Sequence, residues 1–137
     1  MVAILDSSFL FALTNGKDRS HDIVLKTARG LQGKSILPDV VLPEVCHLIL
    51  ARLGHFTMRQ FLRSLDPEHL QLEPLHAEDL VRARALLETY ANIQLDLADA
   101  AIIAIAERLN ITQICTLDRR DFSIVRPRHC EYFEVLP

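Results

Sequence analysis

Short apolar runs alternate with longer amphipathic stretches along the whole chain. The first run, Val-Ala-Ile-Leu at residues 2–5, is uniformly apolar, which is typical of a strand buried on both faces. Similar runs predict four more strands, at residues 35–37, 70–75, 113–117 and 130–136. Helical periodicity and capping residues predict helices at residues 9–13, 20–31, 44–53, 57–65, 76–91 and 97–109. Because strands that alternate with helices form βαβ units, the pattern predicts an α/β fold with a parallel five-stranded sheet flanked by helices.

The predicted helices differ in how they distribute apolar side chains. Helix 97–109 is nearly all apolar and is expected to be buried on several sides. Helix 76–91 is amphipathic, and its predicted inward residues are Leu80, Val81, Ala83, Leu86 and Leu87. Helices 44–53 and 57–65, with the turn between them, carry more apolar surface than one small sheet face can cover, at Leu48, Ile49, Phe56, Phe61 and Leu62. We therefore expect part of this surface to form a two-fold homodimer contact.

Composition favours one domain over residues 1–137. The chain has 137 residues, of which 50% are hydrophobic and 24% are charged, so it is neither disordered nor of low complexity. The longest stretch without Asp, Glu, Lys or Arg is the 10 residues 7–16, which is too short to span a membrane. No basic segment precedes the first apolar run, so we expect no secretory signal. The three cysteines have no Cys-x-x-Cys spacing, which favours a reducing, cytoplasmic setting.

Acidic residues stand where the predicted strands end and helices begin. Asp6 directly follows the first strand and Asp118 follows the fourth, so both are expected at the carboxyl edge of the sheet. Glu44 lies in the first turn of its helix, while Asp96 and Asp99 flank the start of the apolar helix. Each acid taken alone also fits a structural role, as a helix cap, a turn residue or a partner of a helix dipole.

Taken together, these acids point to a metal site. Asp99 begins an apolar segment, and no Lys or Arg lies between Arg84 and Arg108 to neutralise it. If the first and fourth strands are neighbours, Asp6, Asp99 and Asp118 converge, and their repulsion requires either a proton or a cation. Oxygen ligands suit Mg²⁺ or Mn²⁺, and sites of this type hydrolyse phosphodiesters.

The charge balance is compatible with an RNA substrate once the candidate ligands are set aside. The net charge is −3, from 15 Lys and Arg against 18 Asp and Glu. Without the five acids named above, 13 acids face 15 basic residues, which leaves the remaining surface at about +2. The glycine-rich patterns of nucleotide-binding loops are absent. A receiver-like signalling domain also places acids at strand ends, but it needs a late lysine, and no lysine follows Lys34.

Four segments, in order along the chain, carry a resemblance to a known family. They are Leu-Asp-Ser-Ser-Phe-Leu-Phe-Ala-Leu (5–13), Leu-Pro-Glu-Val (42–45), Ala-Asp-Ala-Ala-Ile-Ile-Ala-Ile-Ala-Glu-Arg-Leu (98–109) and Thr-Leu-Asp-Arg-Arg-Asp-Phe (116–122). Together they resemble the PIN-domain nucleases, and among these the VapC-type toxin ribonucleases of toxin–antitoxin pairs. The resemblance implies a five-stranded parallel sheet between helices, a Mg²⁺- or Mn²⁺-dependent endoribonuclease site, a homodimer and an antitoxin partner.

The resemblance also assigns roles to individual residues. It implies that Asp6, Glu44, Asp99 and Asp118 are metal ligands and that the Thr116 hydroxyl orients a carboxylate. Asp96 stands where many relatives have no acid, so its role as a ligand competes with one as a helix cap. Arg119 and Arg120 either hold substrate phosphates or balance the charge of the acids, and Asp121 is commoner as a structural residue. A noncatalytic PIN-like module that binds RNA or protein is the alternative, although binding alone does not require a repulsive cluster of carboxylates.

Overall fold

Five short strands and seven α-helices make up the computed structural model, which describes residues 2–137. The strands are β1 (Ala3–Leu5), β2 (Ser35–Pro38), β3 (Leu70–Glu73), β4 (Gln113–Cys115) and β5 (Glu134–Leu136). The helices are α1 (Ser7–Thr14), α2 (His21–Gly30), α3 (Val41–Leu53), α4 (His55–Ser64), α5 (Ala77–Thr89), α6 (Leu97–Leu109) and α7 (Arg119–Ile124). A 3₁₀ turn at Ala91–Ile93 connects α5 towards α6. The predicted α/β class is confirmed.

All five strands are parallel, and their order in the sheet is β3-β2-β1-β4-β5. The central strand β1 pairs with β2 through Ile4 and Ile36, and with β4 along its whole length, ending at Leu5 opposite Cys115. The first and fourth strands are therefore neighbours, which is the condition under which the acids after them were expected to converge. Strand β2 lies on one side of β1 and β4 lies on the other, so the strand order reverses at β1. The crevice expected of such a sheet therefore lies beyond the carboxyl ends of β1 and β4.

Helix α6 forms much of the hydrophobic core. Every residue from position 100 to 106 is buried, and three of them are the large side chains of Ile102, Ile103 and Ile105. Full burial of one such side chain stabilises a fold by about 1.5–3 kcal/mol. The expectation that this helix is buried on several sides is confirmed, and the burial fixes the position of its first turn, where Asp99 lies.

The inward face of α5 differs from the prediction. Leu80 is 44% exposed and Val81 is 58% exposed, whereas Asp79, Ala83 and Leu86 are buried. The reason is that α5 turns charged side chains towards α6. Asp79 is bound by Arg108 at 2.9 Å, and Arg82 contacts Glu107 at 2.7 Å. Because apolar periodicity takes no account of such ion pairs, the inward face of α5 was predicted at the wrong angle around the helix axis.

The apolar residues of α3 and α4 are shared between the core and the surface. Ile49 and Phe61 are buried within the chain, so they do not belong to the part of this surface that a second copy could cover. Phe56 and Leu62 are 63% and 43% exposed, and Leu48 is half-buried. Among residues 2–137, no helix combines the length and the apolar character needed to cross a lipid bilayer.

Candidate active site

Carboxylates gather at the carboxyl edge of the sheet, beyond β1 and β4. Asp6 follows β1, Asp118 follows β4, and Asp99 lies in the first turn of α6. One carboxylate oxygen from each of Asp99, Asp118 and Asp121 lies within 4.8 Å of the others. The structure therefore brings two of the expected ligands together and adds Asp121, which the sequence had favoured as a structural residue.

Asp99 has the most strongly perturbed carboxyl group at this edge. Burial raises its pKa to about 8, and the charges of Asp96, Asp6 and Asp118 act in the same direction. The pKa of Asp121 is also raised, by burial and by the charge of Asp118. These effects are the ones expected where carboxylates lie close enough to repel one another.

The Asp6 carboxylate is held by main-chain and hydroxyl donors. Its Oδ1 accepts from the Ser7 N–H at 2.7 Å, which caps α1. Its Oδ2 accepts from the Thr116 hydroxyl at 2.7 Å and from the Ser8 hydroxyl at 3.0 Å. Thr116 is fully buried, and its hydroxyl contacts the carboxylate of Asp6.

Glu44 reaches the same edge from the first turn of α3. Its side chain is exposed, and its Oε1 accepts a hydrogen bond from the Ser7 hydroxyl. Ser7 therefore bridges two of the candidate ligands, since its N–H binds Asp6 and its O–H binds Glu44.

Two of the acids also cap helices. Asp96 is exposed, and its Oδ1 accepts from the Asp99 N–H at 2.8 Å at the start of α6. Asp118 occupies the same position at the start of α7, with a longer contact of 3.4 Å to the Asp121 N–H. The helix-cap role considered for Asp96 is thus present, and its charge still contributes to the raised pKa of Asp99.

The two arginines after Asp118 occupy different surroundings. Arg120 lies near the acids, because its charge opposes the rise in the pKa of Asp121. Arg119 instead donates a hydrogen bond to the carbonyl of Pro137, next to β5. Of the two candidate phosphate ligands, Arg120 is the one whose charge acts on Asp121.

The cluster suits a hard divalent cation. Its donors are carboxylate oxygens without His or Cys, which is the chemistry of Mg²⁺ and Mn²⁺ rather than of Zn²⁺. The mutual repulsion that raises the pKa of Asp99 is the interaction that a bound cation relieves. The residues present therefore fit such an ion.

Three residues at this edge had no functional role in the sequence analysis: Ser7, Ser8 and Asp121. The sequence shows two hydroxyl side chains directly after Asp6, but this pattern indicated only the start of a helix. Asp121 lies three residues after Asp118, a spacing that becomes meaningful only once those residues form a helical turn.

Comparison with known proteins identifies the family and the similar folds. The family model for the PIN domain matches residues 3–126. The chain is 28% identical over 134 residues to Ribonuclease VapC26 of Mycobacterium tuberculosis, an alignment that covers 98% of this chain and 99% of that protein. Among solved structures, Mycobacterium tuberculosis VapC20, described as a Sarcin-Ricin loop cleaving toxin, superimposes with a TM-score of 0.84 at 21% identity, covering 96% of this chain and 99% of the other. VapBC2 from Rickettsia felis, bound to a DNA fragment from its promoter, superimposes with a TM-score of 0.71 at 16% identity and full coverage of both chains (100% each).

Proposed function

The chain belongs to the PIN domain family, and from this premise we propose that it is a Mg²⁺- or Mn²⁺-dependent endoribonuclease, acting as the toxin of a toxin–antitoxin pair. The observation that carries the proposal is the set of acids beyond β1 and β4, where burial and like charge raise the pKa of Asp99 to about 8. Such an arrangement weakens the metal-free fold, and it is useful only if a cation binds it. The likeness to a protein named as a ribonuclease supports RNA as the substrate.

In this proposal Asp6, Glu44, Asp99 and Asp118 hold the ion, with Asp96 as a further candidate ligand. A bound Mg²⁺ or Mn²⁺ ion supplies an activated water for attack on the phosphorus and offsets negative charge on the leaving sugar oxygen. Thr116 fixes the direction of the Asp6 carboxylate through its 2.7 Å hydrogen bond. No side-chain nucleophile is needed.

The two arginines are proposed to hold substrate phosphates. Arg120 is better placed for this role because it already lies beside Asp121. Arg119 contributes only after releasing the Pro137 carbonyl to which it donates.

The test is cleavage of an unstructured RNA by the purified protein with millimolar Mn²⁺, compared with the same protein in EDTA. We expect Asp6→Asn to abolish cleavage while the protein remains folded, because the ligand charge is lost and the side-chain volume is kept. Asp22→Asn is the matched control, since Asp22 is an exposed acid in the first turn of α2. Full activity in Asp6→Asn would contradict the site, and a parent that binds RNA without cutting it would favour the noncatalytic alternative.

An antitoxin and a second copy of the chain are the proposed protein partners. Similar folds include a toxin–antitoxin complex from Klebsiella pneumoniae, with a TM-score of 0.67 at 20% identity. An apolar groove of about 750 Å³ lies between α1, α2 and α4, and Phe9, Leu13 and Phe61 are among its lining residues. We propose that an apolar antitoxin helix occupies this groove and inhibits cleavage, and that the protein acts in the cytoplasm.

These partners are tested separately. Co-expression with the product of the adjacent reading frame is expected to give a complex that does not cleave RNA. Leu13→Arg should weaken that complex, whereas Leu80→Arg, on the exposed face of α5, should not. For the homodimer, light scattering at micromolar concentration is expected to give twice the chain mass, and a monomer that persists would contradict it.

A further inference from the structure

Ser8 lies at the junction between the two halves of the carboxylate site. It is the second residue after Asp6, in the first turn of α1. Its hydroxyl oxygen is 3.0 Å from Asp6 Oδ2, 3.1 Å from Thr116 Oγ1 and 3.0 Å from the main-chain nitrogen of Leu117. Asp6 follows β1, whereas Thr116 and Leu117 follow β4, so one hydroxyl contacts both segments.

The donors available at this point determine where the protons go. Leu117 N–H donates to Ser8 Oγ, and Asp118 N–H donates to Thr116 Oγ1 at 3.0 Å. Each hydroxyl then has one proton of its own to give. Thr116 gives its proton to Asp6 Oδ2 across the shorter distance of 2.7 Å. The Ser8 proton has two possible acceptors, Asp6 Oδ2 and Thr116 Oγ1. Because Thr116 itself donates to Asp6 Oδ2, both hydroxyl groups act on that carboxylate oxygen, either directly or through Thr116.

The hydroxyl groups of Ser8 and Thr116 connect the two segments beyond the point where main-chain pairing between β1 and β4 ends. The last direct bond between the two strands runs from Asp6 N–H to the Cys115 carbonyl at 3.0 Å. The next main-chain N–H, of Thr116, donates in the other direction, to the Leu136 carbonyl of β5. Beyond that point, the N–H groups of Leu117 and Asp118 bind side-chain oxygens. The position of the Asp118 loop relative to Asp6 therefore depends on Ser8 and Thr116.

We infer that Ser8 is a positioning residue that sets the distance and orientation of Asp6 relative to Asp118, so that the two carboxylates bind one divalent cation together. This inference rests on the proposed function. Partners that orient metal ligands through hydrogen bonds typically contribute 10–100-fold to metal affinity. Ser8 itself is not a ligand, because its proton and one of its lone pairs are already engaged within the protein.

The test compares Ser8→Ala with the parent, using Ser123→Ala as a matched control. Ser123 lies on α7, and its hydroxyl binds the carbonyl of Arg119 and none of the acids. Ser8→Thr restores the hydroxyl, and Ser8→Cys, which keeps a similar volume with a weak donor, replaces Ser8→Ala if that variant does not fold. For each protein, titration calorimetry measures the Mn²⁺ dissociation constant, and NMR measures the exchange rate of the Leu117 amide in the metal-free state.

We expect Ser8→Ala to weaken Mn²⁺ binding about tenfold and to accelerate exchange of the Leu117 amide. At saturating Mn²⁺, the KM for RNA is expected to stay unchanged, and Ser8→Thr is expected to recover most of the affinity. Parent-like Mn²⁺ affinity in Ser8→Ala, or equal weakening in Ser123→Ala, would overturn the inference and leave the proposed function intact. A parent that binds no Mn²⁺ would overturn both.

Discussion

At the scale of single residues, the site is governed by how each carboxyl group is held. Asp6 accepts three hydrogen bonds, from Ser7, Ser8 and Thr116. Asp99 is half-buried beside like charges, and its pKa is raised to about 8, so the metal-free protein keeps a proton there at neutral pH. Neighbouring acids thus differ in their surroundings, since Asp6 is held by hydrogen-bond donors and Asp99 is buried beside like charges.

Replacing Asp99 by Asn is expected to stabilise the metal-free protein, because the change removes repulsion and retains volume. We expect the melting temperature in EDTA to rise by about 3 °C or more, which corresponds to roughly 1 kcal/mol in a domain of this size. Millimolar Mn²⁺ should stabilise the parent by mass action and stabilise Asp99→Asn less. Thermal melts of both proteins with EDTA and with Mn²⁺ measure this. A destabilised Asp99→Asn that responds to Mn²⁺ as the parent does would show that Asp99 is a structural acid.

Substitutions of Asp96 separate its two candidate roles. Asn caps helices about as well as Asp, whereas Ala in place of a capping residue costs about 1 kcal/mol. Asp96→Asn keeps the cap and removes one repulsive charge, so it should be at least as stable as the parent, and Asp96→Ala should be less stable than Asp96→Asn. If Asp96 is also a ligand, Asp96→Asn loses cleavage activity as completely as Asp99→Asn. Denaturant unfolding and RNA cleavage by the same preparations distinguish a cap from a ligand.

The sequence predicted the acids, and the family resemblance added Thr116, but neither pointed to the hydroxyl groups of Ser7 and Ser8. Asp6 and Asp118 were recognisable because each follows an apolar strand. Their position at the carboxyl edge of the sheet does not depend on side-chain conformation. The roles of Ser7 and Ser8 depend on hydroxyl directions set by contacts with Glu44 on α3 and Thr116 after β4, which are 37 and 108 residues away in the chain. Local pattern carries no information about contacts at such separations.

At the scale of elements, α5 and α6 are joined by ion pairs as well as by apolar packing. Arg108 binds Asp79 and Glu73, both at 2.9 Å, and Arg82 binds Glu107. Burial raises the pKa of the Asp79 carboxyl, but the bonds from Arg108 and from the His76 N–H outweigh burial and hold that pKa below its usual value. The orientation of α5 was mispredicted for this reason. The short helix α7 was not predicted, because its six residues offer too few turns for a periodic apolar pattern.

Removing Arg108 is expected to destabilise the α5–α6 pair. Arg108→Met leaves the buried Asp79 carboxylate without its cation, and breaking a buried pair in this way typically costs about 3–5 kcal/mol. Arg84→Met is the control, since Arg84 is an exposed arginine of α5. Urea unfolding of the three proteins at neutral pH measures the difference. Equal stability of the two variants would show that the ion pair between Arg108 and Asp79 contributes no more to stability than the exposed side chain of Arg84.

At the scale of the whole molecule, two groups of acids give opposite pH dependences. The pKa of Asp99 is raised when the chain folds, so its contribution to stability declines as pH rises from about 4 to about 8. The pKa values of Asp79 and Glu107 are lowered, so the stability that these acids contribute is fully present above their unfolded values, 3.8 and 4.5, and is lost as pH falls below those values through the lowered pKa values of the folded state. The electrostatic optimum of the metal-free fold therefore lies where the two ranges meet, at about pH 4–5.

We accordingly expect the metal-free protein to be most stable on the acid side of neutrality. Urea unfolding in EDTA at about pH 5, 6.5 and 8 should give a free energy of unfolding that decreases along the series. Asp99→Asn should show a flatter profile over the same interval. A parent whose stability increases from pH 5 to pH 8 would mean that Asp99 is ionised in the folded state without a metal.

The central position of β1 in the sheet has a consequence for folding during synthesis on the ribosome. Asp6 directly follows β1, and its partner Thr116 follows β4, which pairs with β1 across more than a hundred residues of intervening chain. Strands β1, β2 and β3 are adjacent in the sheet and can associate early, but the carboxylate edge forms only after β4 has emerged and inserted beside β1. A nascent chain that ends before β4 therefore lacks Thr116 and Asp118 and cannot bring the acids at this edge together.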